Sequence, residues 1–164
     1  MNTSQISTIL KHAVAPPYKF LGVFARDKIP RVRTYPYCYV SNTRDSDHEG
    51  EHWVAFIHHS PSSIEFFDSY ALTPSAYGFN IRASILNHKT LQALSSSVCG
   101  EYCILYLYYR SHGVSLTRLL SKFSSDLHWN DEQVARVVHT QFGFGKSHSG
   151  CHQSCIARCM CTHV

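Results

Sequence analysis

No stretch of this chain approaches the ~20 consecutive apolar residues needed to cross a bilayer, which argues against a membrane-spanning helix. Met1 to Leu10 lacks the basic start and the long apolar core of a secretion signal. A reducing compartment is therefore expected, with the seven cysteines held as thiols rather than bridges. Internal repeats are missing, and so are paired Cys-x-x-Cys knuckles separated by a loop, the common signature of a structural zinc module. No cysteine lies between Cys38 and Cys99. What is present is enough for one domain: 164 residues, 44% of them hydrophobic and many aromatic. A formal charge of +4 and twelve histidines give a modestly basic surface.

The stretch from Gln92 through Ser95-Ser96-Ser97 to Cys99-Gly100-Glu101-Tyr102-Cys103, with His52-Trp53 and Asp68 upstream, supplies the groups a thiol hydrolase needs. Cys99 opens an apolar run, Ile104 to Tyr109, long enough for a buried helix, with the three serines as candidate caps. A cysteine at a helix N-terminus faces unpaired N–H groups and the positive end of the helix dipole, and both favour the nucleophilic thiolate. Gly100 would leave room for a substrate carbonyl, and the Cys99 N–H can donate to an oxyanion. Gln92, seven residues earlier at the end of a short extended piece, could add a second donor through its amide. A lone cysteine before an apolar helix is usually a small core residue; its company here makes the difference. Cys103, one turn further on, reads as such a core residue.

His52 begins Trp53-Val54-Ala55-Phe56-Ile57, a strand by its β-branched and aromatic content, and Ile64 to Asp68 reads as the next strand after a Ser60-Pro61-Ser62-Ser63 turn. Pairing of the two would bring Asp68 beside His52, where it could hold the imidazole in the tautomer that takes the thiol proton. The order His, Asp, Gln, Cys separates the chain from the papain arrangement, in which the cysteine comes first.

These pieces resemble the adenovirus-type cysteine proteases (adenain), and more closely the branch from Polinton/Maverick elements and related viruses. Tyr18 to Phe24 with Ile29-Pro30 is similar to that family's N-terminal segment. Gly50-Glu51-His52-Trp53-Val54-Ala55-Phe56 resembles its histidine motif, Glu65-Phe66-Phe67-Asp68-Ser69-Tyr70 with Pro74 its acid motif, and Gln92 to Cys103 its Cys-Gly-x-Tyr-Cys signature. The likeness runs from about residue 4 to residue 142. It implies an α+β fold of the SUMO-protease superfamily, a mixed central sheet flanked by helices with the nucleophile at a helix N-terminus. It further implies a cysteine endopeptidase with His52 as general base, Asp68 as its orienting acid, Cys99 as nucleophile and Gln92 as oxyanion donor, with Trp53 as a wall of the cleft. Viral or capsid precursor proteins cut after Gly-Gly or Gly-X sites would be the substrates, in the host nucleus or the virion, by a monomer that needs no cofactor for its chemistry.

Three departures stand out. The acid is Asp68 where adenovirus enzymes carry Glu, Ala71 replaces a glycine usual after Asp-Ser-Tyr, and Glu51 stands at a second glycine position. The family's activating peptide is disulfide-linked to a cysteine between acid and nucleophile; none exists here, so a peptide activator would have to bind noncovalently. Lys28, Arg31 and Arg33 near Tyr35 and Tyr37 form a candidate patch for nucleic-acid phosphates, sequence-independent and salt-sensitive. The alternative is an ordinary solvated loop; DNA stimulation in the family favours the patch.

A helix is expected over Ser4 to Val14, three or four strands between Tyr37 and Asp68, a short helix over Pro74 to Leu86, a strand carrying Gln92, and a helix from Cys99 to near Gly113. Helices over Leu116 to Phe123 and Asp131 to Phe142, the second capped by Asn130, complete a protease domain of residues 1–145. Residues 146–164 form a tail crowded with Cys151, Cys155, Cys159 and Cys161 and the histidines His148, His152 and His163, a weak candidate set for zinc or for a partner. Two other functions stay open. One is an isopeptidase or acyl transferase acting on ubiquitin-like modifiers through the same triad. The other is a zinc- or nucleic-acid-binding module with a silent triad.

Overall fold

The computed structural model describes residues 1–143; the tail cysteines Cys151, Cys155, Cys159 and Cys161 lie outside the described residues. Helix α1 (Thr3–Ala13) is opened by a capping box in which the Asn2 side chain accepts from the Gln5 N–H at 2.9 Å and Gln5 Oε1 accepts from the Asn2 N–H at 3.0 Å. Its buried residues Ile6, Ile9, Leu10 and Ala13 form one stripe, and the helix stops before Pro16-Pro17. Strands β1 (Lys19–Phe24), β2 (Tyr37–Asn42), β3 (Trp53–His58), β4 (Ile64–Phe67) and β5 (Ile85–Leu86) follow in one mixed sheet of that spatial order. The inner three strands are an antiparallel meander; β1 and β5 add to its edges in parallel. Helices α2 (Cys99–Ser111), α3 (Leu116–Leu120) and α4 (Leu127–Phe142) complete an α+β fold.

Residue alternation along the strands sorts two cores. Cys38 and Val40 of β2, Ala55 and Ile57 of β3 and Phe67 of β4 pack under α1, α2 and α4. Tyr37, Tyr39, Val54, Phe56 and Phe66 face the other way, under Phe79 and the irregular segments around Ile29, Val32 and Ile81. Helix α2 is buried on nearly all sides, with Tyr106 stacked on Phe67 at 4.3 Å between centroids. Because β3 and β4 run antiparallel, the start of β3 and the end of β4 meet at one end of the sheet. The N-terminus of α2 reaches that same end.

Several elements differ from expectation. Pro74 to Leu86 is a single 3-10 turn, Pro74–Tyr77, stopped by Gly78 at φ 76°, and then extended chain leading into β5. Gln92 lies in an irregular loop, not a strand, because its backbone pairs with Ser69 O rather than with a neighbouring strand. The serines do not cap α2, whose N-cap is Val98 without a side-chain bond. Helix α3 is shorter than expected and is capped by Ser115. Helix α4 starts at Leu127 because Asp126 accepts from the Trp129 N–H, which leaves Asn130 inside the helix. Strand β1 is an element the sequence reading had not singled out as a strand.

His58 ends β3 buried, stacked on Tyr37 at 4.5 Å between centroids, and its Nε2 has no partner among the described residues. Burial, aided by the charge of His59, pushes its imidazole down to about 4. An unfolded histidine titrates near 6.5. The neutral ring therefore supports the fold fully above about pH 6.5, and that support drains as pH falls towards 4. The total at stake is roughly 3 kcal/mol. His58→Phe keeps the stack and removes the titration, so urea midpoints should fall less between pH 7 and 4.5 than in the wild type.

Candidate active site

An open cleft of ≈ 590 Å³ lies where the three elements meet, lined by His52, Trp53, Tyr70, Leu72, Ser96 and Cys99, among others. Cys99 is the first residue of α2 and is 9% exposed. Its N–H, in the first helical turn, has no intrahelical acceptor and faces the cleft end of the helix. His52 stands just before β3, with its ring stacked on Tyr70 at 4.6 Å between centroids. Its Nε2 donates to Asp68 Oδ1 at 2.6 Å, and Cys99 lines the same cleft, near enough to act on the ring electrostatically. Burial alone would push this imidazole down. The hydrogen bond to Asp68 and the nearby Cys99, with the charges of both, raise it to about 9. His52 is therefore an imidazolium at neutral pH.

Asp68 is fully buried and coordinated by four donors. On Oδ1 these are His52 Nε2 and the Tyr70 N–H (3.1 Å); on Oδ2 they are the Leu72 N–H (2.9 Å) and the Tyr77 hydroxyl (2.9 Å). Asn87 holds the Asp68 backbone from both sides, donating to its carbonyl at 2.7 Å and accepting from its N–H at 3.0 Å. The turn that delivers the Tyr70 and Leu72 amides passes through Ala71 at φ 60°, a left-handed conformation. Alanine adopts it at a cost of about 1 kcal/mol where a glycine would not. The missing glycine thus leaves the turn in place. Glu51, at the other glycine position, pairs with Arg44 at 2.6 Å.

The loop between β5 and α2 is held from three directions. Leu91 and Gln92 donate their N–H groups to Ser69 O, Leu91 O accepts from Asn130 (3.2 Å), Asp131 accepts from the Ala93 N–H (3.1 Å), and the Tyr102 hydroxyl is shared between Leu91 O (2.8 Å) and Asp131 (2.9 Å). Inside this frame Gln92 is 0% exposed. Its amide does not project into the cleft as expected. Nε2 donates to Ser96 O at 3.0 Å and Ser96 Oγ at 3.1 Å, and Oε1 accepts from Ser69 Oγ at 2.6 Å. The cause is a turn, closed by Ser96 N–H on Ala93 O, that folds Ser96 back over the amide.

His52, Asp68 and Cys99 are thus brought together, with Trp53 on the cleft wall. Gly100 serves another purpose than the one expected. It does not line the cleft, and a Cβ there would come within 3.0 Å of Ile6 and 3.2 Å of Met1, so its bareness admits helix α1. Lys28 sits 3.0 Å from Asp27; Arg31 and Arg33 are exposed, and none of the three lines the cleft. Among the described residues, no group of three or more His, Cys, Asp or Glu side chains is placed to hold a metal ion. Cys38, Cys99 and Cys103 are free thiols, and burial pushes Cys38 up to about 12. No helix of the described residues is long and apolar enough to cross a membrane.

Compared with known proteins, the chain matches no family model and no curated protein. The site is read from its own geometry. Tyr77, Asn87, Ser96, Asn130 and Asp131 belong to it or to its frame, and sequence reasoning had assigned none of them such a part. Tyr77, Asn87 and the adjacent Asn130 and Asp131 lie outside the motifs read from the sequence, whereas Ser96 and Tyr70 stand within them.

Proposed function

We propose that this protein is a cysteine endopeptidase of the adenain type, with the fold of the SUMO-protease superfamily, cutting precursor proteins after small residues of Gly-Gly or Gly-X type. The observation that carries the reading is His52 hydrogen-bonded to a fully buried Asp68 in an open cleft that it shares with a cysteine at a helix N-terminus, close enough to act on the ring. The sulfur of Cys99 attacks the scissile carbonyl carbon, and electrons move onto the carbonyl oxygen. As the C–N bond breaks, the His52 imidazolium gives its proton to the leaving amine. His52, now neutral, takes a proton from water as the water attacks the thioester carbonyl; the C–S bond breaks, the acid leaves, and the thiolate–imidazolium pair is restored. Asp68 keeps the ring oriented throughout and stabilises it whenever it carries the proton.

Viral or transposon capsid and core precursors, in the nucleus and the assembling particle, are the substrates this reading favours. Non-covalent peptide or DNA activators belong to the same reading, DNA through Lys28, Arg31 and Arg33. His52, Asp68 and Cys99 would equally serve an isopeptidase on ubiquitin-like modifiers, whose C-termini also end in Gly-Gly. Substrate assays separate the two.

The test is turnover of a fluorogenic peptide ending Leu-x-Gly-Gly under reducing conditions, with and without DNA, beside the same peptide carrying a vinyl sulfone. Turnover is expected, with the warhead mapped by mass spectrometry to Cys99. Cys38 and Cys103 are each 1% exposed and should stay unmodified. No turnover in any condition, together with no labelling of Cys99, overturns the reading.

A further inference from the structure

We propose that Ser96 is the side-chain donor of the oxyanion hole, and that Gln92 is a positioning residue acting through it; this rests on the thiol-hydrolase reading above. The Gln92 amide has nothing left to offer a substrate. Both Nε2 protons are directed at Ser96, its carbonyl takes the Ser69 hydroxyl, and the side chain is closed off from solvent. Ser96 is half-buried and lines the cleft beside Cys99. A serine hydroxyl carries one proton and two lone pairs. Here one lone pair is filled by Gln92, and among the described residues no acceptor takes the proton.

Accepting from an amide N–H polarises the hydroxyl and makes it a stronger donor. The chain Ser69 to Gln92 to Ser96 therefore ends in an O–H at the rim of the nucleophile's cleft. Together with the Cys99 N–H, at the same cleft, it would supply the two donors that acyl transfer needs. In the step itself the S–C bond forms and the carbonyl π electrons move to oxygen. The oxyanion accepts hydrogen bonds from Ser96 and from the Cys99 N–H. No proton leaves Ser96; the proton that reaches the leaving group comes from His52.

Two reactions of the same thiol separate this role from a structural one. Acylation by p-nitrophenyl acetate develops an oxyanion, whereas alkylation by iodoacetamide, quantified on the Cys99 peptide by mass spectrometry, develops none. Ser96→Ala should lower Cys99-dependent p-nitrophenolate release by about 10²-fold, with the alkylation rate unchanged. Ser96→Thr, which keeps the hydroxyl, should recover most of it. Adding Gln92→Ala to Ser96→Ala should cost nothing more, because the two act as a unit.

If Gln92 itself swings out to donate, Ser96→Ala frees its amide and release holds or rises, which overturns the assignment. Parallel loss of alkylation also overturns it, since Ser96 would then only support the cysteine's surroundings. Wild-type protein whose release does not depend on Cys99 removes the thiol-hydrolase reading itself, and the serine with it.

Discussion

Asp68→Asn should lower kcat/KM by about 10²- to 10⁴-fold and move the alkaline limb of its pH profile downward. In the wild type His52 is held up to about 9, against burial, by the hydrogen bond to Asp68 and by the charges of Asp68 and Cys99. The rate should therefore fall only above about pH 9, where the proton for the leaving amine is lost. Asparagine removes the charge and half the accepting capacity. With its oxygen kept on His52 and the Tyr70 N–H, its NH₂ would point at the Leu72 N–H, donor against donor, at a cost of about 1–3 kcal/mol. The ring then returns towards ordinary imidazole behaviour and loses its orientation. A raised imidazole also stabilises the fold below about pH 6.5 and ceases to do so as pH climbs through 9, so this pH-dependent contribution should vanish in the variant. Full activity in Asp68→Asn, with the limb still near 9, would mean that something other than Asp68 holds His52.

His52, Asp68 and Cys99 were legible as a candidate set because each sits on or beside an element with a strong local signal. His52 and Asp68 bracket a hairpin whose β-branched and aromatic runs and Ser-Pro turn are unambiguous, and Cys99 opens the most apolar helix of the chain. The same signals gave most helices and strands, while the mixed sheet was what the family resemblance implied. Gln92's surroundings were not legible. Its loop has no periodicity and is shaped by Asn130 and Asp131, some 40 residues away, so tertiary contacts decide what local pattern cannot. The same holds for the start of α4, where Asp126 and Asn130 are both good caps. The buried work of Asn130 on Leu91 O and Ser124 settled which one caps the helix. Ala71 shows the opposite case. The position carries a glycine in the family the chain resembles, and the backbone adopts φ 60°, the conformation glycine favours, despite the alanine.

Arg110→Met should destabilise the protein by about 3–5 kcal/mol without touching the chemistry. Glu65 is fully buried on β4, and Arg110, near the end of α2, grips it with two bonds, Nε at 2.6 Å and Nη2 at 2.7 Å. His59 adds a third contact at 3.1 Å and is itself hydrogen-bonded to Tyr18 at 3.2 Å. Burial alone would raise the Glu65 carboxyl, but the Arg110 hydrogen bonds and charge hold it below the usual range. Removing the guanidinium strands a carboxylate in the core. Removing both partners does not, so Arg110→Met with Glu65→Met should recover most of the loss. Urea denaturation at pH 7 reads both. Arg110 lies eleven residues from Cys99 along α2, roughly 16 Å at 1.5 Å per residue. Activity per folded molecule at low temperature should therefore match the wild type. The pair ties the strand that ends in the acid to the helix that begins with the nucleophile, at the end of both elements away from the cleft. If Arg110→Met lost catalysis while folded, the spacing of Asp68 and Cys99 would depend on this distant clamp and not on the packing of α2 against the sheet.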